Sequence, residues 1–377
     1  MEGTAIPEEP QVMSSPPPSP PSPSSSSSSR QYDEAFAQLA ETGYAVVRGA
    51  VPPQRCREYY ERFWDWLEAF GTGIDRTDRD TWRGAAWPVS IHGIFQHYGV
   101  GHQPFVWDVR REEGIVDAFA ALWGTRSLLV SFDGANLSKP SRLPQSDWGH
   151  TDQRPDRHSP RASNPGRPAF RLHPALAAVD AACVQGSLCL VDCGPQDGGL
   201  VVRRGSHLLH ARFFETYPRA ADATRGDWYK LAEADRGFYA GCPPDKVCCA
   251  AGDLVLWDSR AIHHAVAPSG ERCRSAVYVC YMPAALATPR DLEKKRAALA
   301  NRRTTLHWPC RPKLFPERPR TYGRSDRLLT HPVDQGTQPV VLDELGRRLA
   351  GAEPYPRDDP AAAVGRRQAI KQTTLSL

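Results

Sequence analysis

The run Gly252-Asp253-Leu254-Val255-Leu256-Trp257-Asp258-Ser259-Arg260-Ala261-Ile262-His263-His264 carries the reading of the fold. A Gly-Asp turn opens it, four consecutive apolar residues follow, and polar residues 258–260 lead to a pair of histidines. A short apolar run between turn signals reads as a buried strand rather than a helix. Similar runs recur at 128–132, 183–191, 199–202, 247–250 and 275–281, separated by turns such as Gly194-Pro195-Gln196-Asp197-Gly198-Gly199. Upstream the period changes. Helices are predicted over 32–41, 54–70 and 111–123, with a short strand at 44–48; Tyr59, Phe63, Trp66, Leu67 and Phe70 recur at helical spacing as a core-facing stripe. Helices followed by many short strands predict a mainly β domain with flanking α-helices packed outside a sandwich or barrel.

Composition removes several function classes. The 377 residues carry 47 Lys+Arg against 43 Asp+Glu, a net charge of +4 that does not support a nucleic-acid partner. No apolar stretch approaches the roughly 18 residues of a membrane span, and Met1-Glu2-Gly3-Thr4 opens no secretory signal, so a cytoplasmic protein is expected. The terminal Leu375-Ser376-Leu377 does not match the Ser-Lys-Leu address, so peroxisomal import is not supported. Ten cysteines scattered through apolar runs read as buried free thiols; a zinc cluster on Cys189, Cys193 and the Cys248-Cys249 doublet lacks the usual paired spacing.

Residues 1–30 form a Pro/Ser-rich N-terminus expected to be disordered, 31–284 the globular domain, and 285–377 a charged helix at 289–302 with an Arg/Pro-rich extension. Within that extension, residues 301–309 read as a basic surface tail packed by Trp308. Two long stretches, 153–182 and 207–241, interrupt the strands and read as lids or partly disordered insertions, with 153–182 the candidate lid.

Trp148-Gly149-His150-Thr151-Asp152 places an imidazole and a carboxylate two residues apart, on one side of an extended chain. A third donor comes from His263 or His264, of which only one can enter the site because adjacent strand residues face opposite ways. Two histidines and one carboxylate leave three positions open on an octahedral metal, which favours non-haem Fe(II) and O2 chemistry. Downstream the chain turns through Pro268-Ser269-Gly270 and re-enters a strand, where Arg272 or Arg274 offers a fixed cation for a dicarboxylate. Gln185 and Asn136 are candidates to contact cosubstrate or substrate. His92, His97, His102, Trp107 and Arg110 are held as substrate-side candidates.

The order Gly43-Tyr44-Ala45-Val46-Val47, His150-Thr151-Asp152, Gln185-Gly186, Asp197-Gly198-Gly199-Leu200-Val201-Val202, Gly205-Ser206-His207, then Gly252 to Trp257 with His263 and Arg274, resembles the phytanoyl-CoA dioxygenase family over roughly residues 32–283. The resemblance implies a double-stranded β-helix (jelly roll) that takes Fe(II), 2-oxoglutarate and O2. It also implies His150, Asp152 and His263 as iron ligands and Arg274 as anchor of the far carboxylate of 2-oxoglutarate. Related halogenating enzymes lack the carboxylate that Asp152 supplies, so hydroxylation of an unactivated C–H bond of a small-molecule or lipid-like substrate is the expected reaction. Two other readings remain open on the residues alone: an inactive β-helix scaffold, and a cupin-like metal isomerase or hydrolase that has no need of Arg274.

Overall fold

The structure, a computed structural model, describes residues 25–141, 147–156, 170–319 and 340–356. Two antiparallel sheets make its centre. The larger has seven strands, in the order Tyr44–Val47, Leu254–Asp258, Val184–Cys189, Arg274–Pro283, Ala135–Ser138 and Ile94–Phe95, with Leu128–Val130 paired to the end of Arg274–Pro283. The smaller has five, in the order Tyr229–Lys230, His150–Thr151, His263–Val266, Gly199–Arg203 and Pro244–Lys246. Neither sheet closes on itself; the chain crosses between them repeatedly, giving the double-stranded β-helix with flanking helices expected from the strand pattern.

Strand parity divides the large sheet into two faces. Leu254, Leu256, Leu188, Val277, Val279 and Tyr281 point outward into a core shared with Phe36, Phe63 and Phe119 of the helices Ser25–Thr42, Pro53–Glu68 and Glu113–Trp123. Val255 and Trp257 point inward and pack on Leu200 and Val202 of the small sheet, with Tyr278 against them. The inner rows therefore lie between the sheets, where polar side chains are shielded from bulk water.

The turn before Leu254 locks the first strand in place. Gly252 has φ +94°, and a Cβ there would lie 2.1 Å from the Val51 carbonyl, so only glycine allows this approach. Asp253 accepts hydrogen bonds from Arg48 Nη1 (2.6 Å), Gly49 N (2.9 Å) and Ala250 N (2.9 Å), tying the turn after Tyr44–Val47 to the neighbouring strand.

Several expectations are corrected. The first helix begins at Ser25, inside the stretch expected to be disordered; once Phe36 and Leu39 anchor it, each added turn costs only propagation. Residues 207–241 are neither loop nor disorder. They fold into the helices His210–Thr216 and Pro218–Ala223 and the strand Tyr229–Lys230, held by a cluster of Phe213, Phe214, Ala220, Tyr229, Tyr239, Cys242 and Ile262. The strand expected at 247–250 lies at Pro244–Lys246 on the sheet edge, where proline's missing N–H is tolerated; of 247–250, Cys249 keeps a bridge to Cys193. Arg272, the alternative cation to Arg274, is already paired with Asp197 (2.5 Å). The basic segment at 301–309 is not a surface tail: Thr304, Thr305, His307 and Trp308 are buried. All ten cysteines are free thiols, nine of them buried. The expected disorder of residues 1–24, part of the candidate lid (157–169) and the terminal tripeptide lie outside the described residues. Among the described residues no helix is long and apolar enough to cross a membrane.

The helix Pro289–Ala300 docks through Lys295, whose buried ammonium donates to the Val130 carbonyl and lies 3.9 Å from the centre of the Phe132 ring. Burial pushes its pKa down to about 7. Between that value and the unfolded pKa near 10.4 the unfolded chain binds the extra proton, so this group destabilises the fold below the window and stops doing so as pH rises through it. The rise in wild-type stability between pH 7 and pH 10 that this lysine contributes is expected to be absent from Lys295→Met; urea unfolding of both proteins across that range is the check.

Candidate metal centre

His263 sits directly opposite His150 in the antiparallel pairing of the small sheet, so both imidazoles leave the same face. Asp152, two residues beyond His150, returns to that face. The Asp152 Oδ2 lies 3.3 Å from His263 Nε2 and 3.7 Å from His150 Nε2, and one ligand atom of each residue falls within 4.8 Å of the others. This is the one group of His, Cys, Asp and Glu able to share a cation among the described residues. His264 points elsewhere, 3.6 Å from Asp147.

The ring nitrogens are already sorted. His150 Nδ1 faces the Trp148 carbonyl (3.3 Å) and His263 Nδ1 the Ala261 carbonyl (2.9 Å). A carbonyl only accepts, so each Nδ1 carries the proton and each Nε2 presents a lone pair toward the carboxylate, as a metal ligand must. Burial, then the neighbouring His263, pushes the His150 pKa down, which keeps the ring neutral. Burial works against ionised Asp152, but the facing imidazole of His150 and that of His307 hold its carboxyl well below the usual carboxylate range. Neutral imidazoles around an ionised carboxylate form the donor set that a divalent transition metal takes.

Gln185 donates to Asp152 Oδ2 (3.1 Å) and lies 3.4 Å from Ser259 Oγ. Its strand carries Ser187 and Cys189 on the same inner face, and that row leads to Arg274 at the start of the adjacent strand. Arg274 is buried between the sheets, beside a small cavity that Ser187, Cys189, Leu200 and Val255 line. Its Nη1 has no hydrogen-bond partner. A buried guanidinium with an orphaned nitrogen calls for an anion, and a carboxylate entering this cavity satisfies it. The donor set and this arginine together fit a metal with a dicarboxylate. Asn136 is buried on the strand next to Arg274–Pro283; its amide is occupied by the His92 carbonyl (3.2 Å) and Ser138 Oγ (2.9 Å), so it braces the wall.

Other candidates divide. His102, Trp107 and Arg110 are buried core residues; the Arg110 guanidinium donates to the Gly101 and Asp133 carbonyls at 2.6 and 2.9 Å. His97 lines a separate cleft with Lys294, Arg303 and Lys313. His92 does reach the site. Its ring stacks on Trp148 (4.1 Å, 8°), which stacks on His150 (4.9 Å, 11°), and Trp148 Nε1 is pinned to the Ala265 carbonyl (3.0 Å). Two neighbours escaped the sequence reading. Trp228, 40% exposed, lies 6.0 Å from the His150 ring, and His307 reaches the Asp152 carbonyl (3.3 Å) from the C-terminal extension. Neither carries a signal in the sequence, because Trp228 is set beside His150, and His307 beside Asp152, only by tertiary packing. Near them, burial raises the Asp133 carboxyl to about 6, opposed by His307.

The family model described as phytanoyl-CoA dioxygenase (PhyH) matches residues 39–276. The chain is similar to Ava biosynthesis cluster protein O of Aspergillus versicolor, 35% identical over 293 residues that cover 74% of this chain and 87% of the relative. Among solved structures, a Salmonella typhimurium LT2 protein provisionally described as an oxidoreductase superposes with TM-score 0.51 at 17% identity, over 85% of this chain and 82% of its own. The epimerase SnoN, in complex with Fe3+, alpha ketoglutarate and nogalamycin RO, gives TM-score 0.44 at 16% identity, over 68% and 84%.

The two adjacent histidines separate cleanly by experiment. His263→Ala is expected to weaken Co(II) or Fe(II) binding by at least about 100-fold, the cost of losing one of three protein ligands, whereas His264→Ala changes it by less than about threefold. Anaerobic isothermal titration of both variants measures the difference.

Proposed function

This chain belongs to the phytanoyl-CoA dioxygenase family, and on that footing we propose that it hydroxylates a C–H bond of a small apolar metabolite, with His150, Asp152 and His263 holding iron and Arg274 anchoring 2-oxoglutarate. The family is one of non-haem iron, 2-oxoglutarate-dependent oxygenases, and the chain is an enzyme of that class. The observation that carries the assignment is the sorted histidine pair: both Nδ1 atoms tied to backbone carbonyls, both Nε2 atoms turned to one carboxylate.

When bound there, the metal and cosubstrate supply coupled oxidation, in which R–H, 2-oxoglutarate and O2 give R–OH, succinate and CO2. The residues of the chain do the rest. Gln185 orients the Asp152 carboxylate through its Oδ2. Trp148 and the two backbone carbonyls fix the planes of the imidazoles. Arg274 receives the remote carboxylate beside a cavity lined by Ser187, Ser275 and apolar side chains such as Leu200 and Val255, where a charge pair is strong because the site lies between the sheets. Retention of Asp152 leaves no ligand position for a halide, which supports hydroxylation over halogenation. Ile91 and Trp228, both exposed beside His92 and His150, support an apolar substrate. The A. versicolor relative is described as a biosynthesis cluster protein, which supports a small molecule over a macromolecule.

Anaerobic loading with Fe(II) and 2-oxoglutarate, then exposure to O2 with a metabolite extract, is expected to yield succinate together with a product heavier by one oxygen atom. Arg274→Ala should keep the metal while losing 2-oxoglutarate affinity by about 100-fold, since it removes the partner of a buried charge. Metal binding with no 2-oxoglutarate consumption by the wild type would instead favour a cupin-like isomerase or hydrolase.

A further inference from the structure

We propose that His307, supplied by the C-terminal extension beyond the family match, is a positioning residue of the metal centre that holds the Asp152 main chain in register with the two histidines. The inference rests on the ligand assignment above and goes beyond it.

The need for such a residue follows from the local chain. The strand that carries His150 has only two residues, His150 and Thr151, so Asp152 lies past its end with no ladder partner. Three contacts hold it. Its N–H donates to the Ser259 carbonyl (2.8 Å), its Oδ2 accepts from Gln185 (3.1 Å), and its carbonyl faces His307 Nε2 (3.3 Å). The next carbonyl, of Gln153, faces His210 Nε2 (2.9 Å). Two imidazoles from separate parts of the chain thus grip consecutive peptides just where the chain leaves the sheet. Because both acceptors are carbonyls, both Nε2 atoms act as donors.

His307 is itself rigidly placed. Thr305 N donates to the Phe132 carbonyl (2.9 Å) and Phe132 N donates to Thr305 Oγ1 (3.0 Å). His102 Nε2 donates to the Arg303 carbonyl (3.0 Å), and the loop closes through Leu306 N to Lys313 O and Phe315 N to Thr304 O. Cys310 Sγ donates to the Pro283 carbonyl (3.2 Å). His307 is 7% exposed, which is costly for an imidazole unless its nitrogen has work inside the protein. A ligand loosened by even a fraction of an ångström changes metal affinity, and partners that orient ligands are typically worth about 10–100-fold.

The test uses full-length His307→Leu, which fills the volume without a donor, and His307→Gln, which restores one. Co(II) is the probe, titrated with detection of its visible ligand-field absorption, and melting of the metal-free protein serves as the control for packing. The expected result is a Co(II) Kd weakened about 10–100-fold in His307→Leu with an altered absorption band, and within about threefold of wild type in His307→Gln. Binding by His307→Leu within twofold of wild type with an unchanged band overturns the proposal. So does equal loss in both variants accompanied by equal loss of melting temperature, which assigns the ring to packing alone. Should His307→Leu fail to fold, His307→Met is read by the same criteria. Failure of the wild type itself to bind Co(II) would defeat the ligand assignment rather than this inference.

Discussion

One strand pairing underlies the chemistry: His263 lies directly across from His150. Slipping that register by one residue would bring His264 to the opposing position and turn one imidazole to the other face. The pairing is kept by its surroundings. His263 also pairs with Val202 on its other side, Val202 packs on the inner face of the large sheet, and the Trp257 ring lies 5.6 Å from His263. Apolar burial therefore fixes a polar constellation, and the histidines need only donate their Nδ1 protons to the nearest carbonyls to be ready for a metal.

The large sheet does two jobs because its strands alternate. Outward residues such as Leu256 and Val279 meet the helices and supply most of the core. Inward residues on the same strands, Gln185, Ser187 and Arg274, face the small sheet and make the polar track from the carboxylate to the guanidinium. A strand buried on both sides reads in sequence as nearly continuous apolar character, so the few polar residues within such runs are the informative ones.

That explains what was legible. His150 and Asp152 could be paired because strand parity puts them on one side of the chain, whereas His263 over His264 and Arg274 over Arg272 rested on the family resemblance, since parity alone left each pair open. Residues 207–241 were misread because their aromatic residues have no clean period; they form a satellite cluster whose packing is visible only in three dimensions. Asn136, a candidate contact, braces the wall through the His92 carbonyl and Ser138, a role set by strand pairing that the sequence does not show. His307 could not have been found. It stands 155 positions from the residue it touches, in a segment whose basic composition resembles solvated surface, and only the pinning by Thr305 brings it inside.

The position of that segment also has a temporal consequence. Translation proceeds from the N-terminus, so all three metal-binding side chains are synthesised before residues 303–315 exist. Those residues dock against Phe132 through Thr305. Of the groups that hold Asp152, His307 is thus the last to be synthesised, after Gln185 and Ser259.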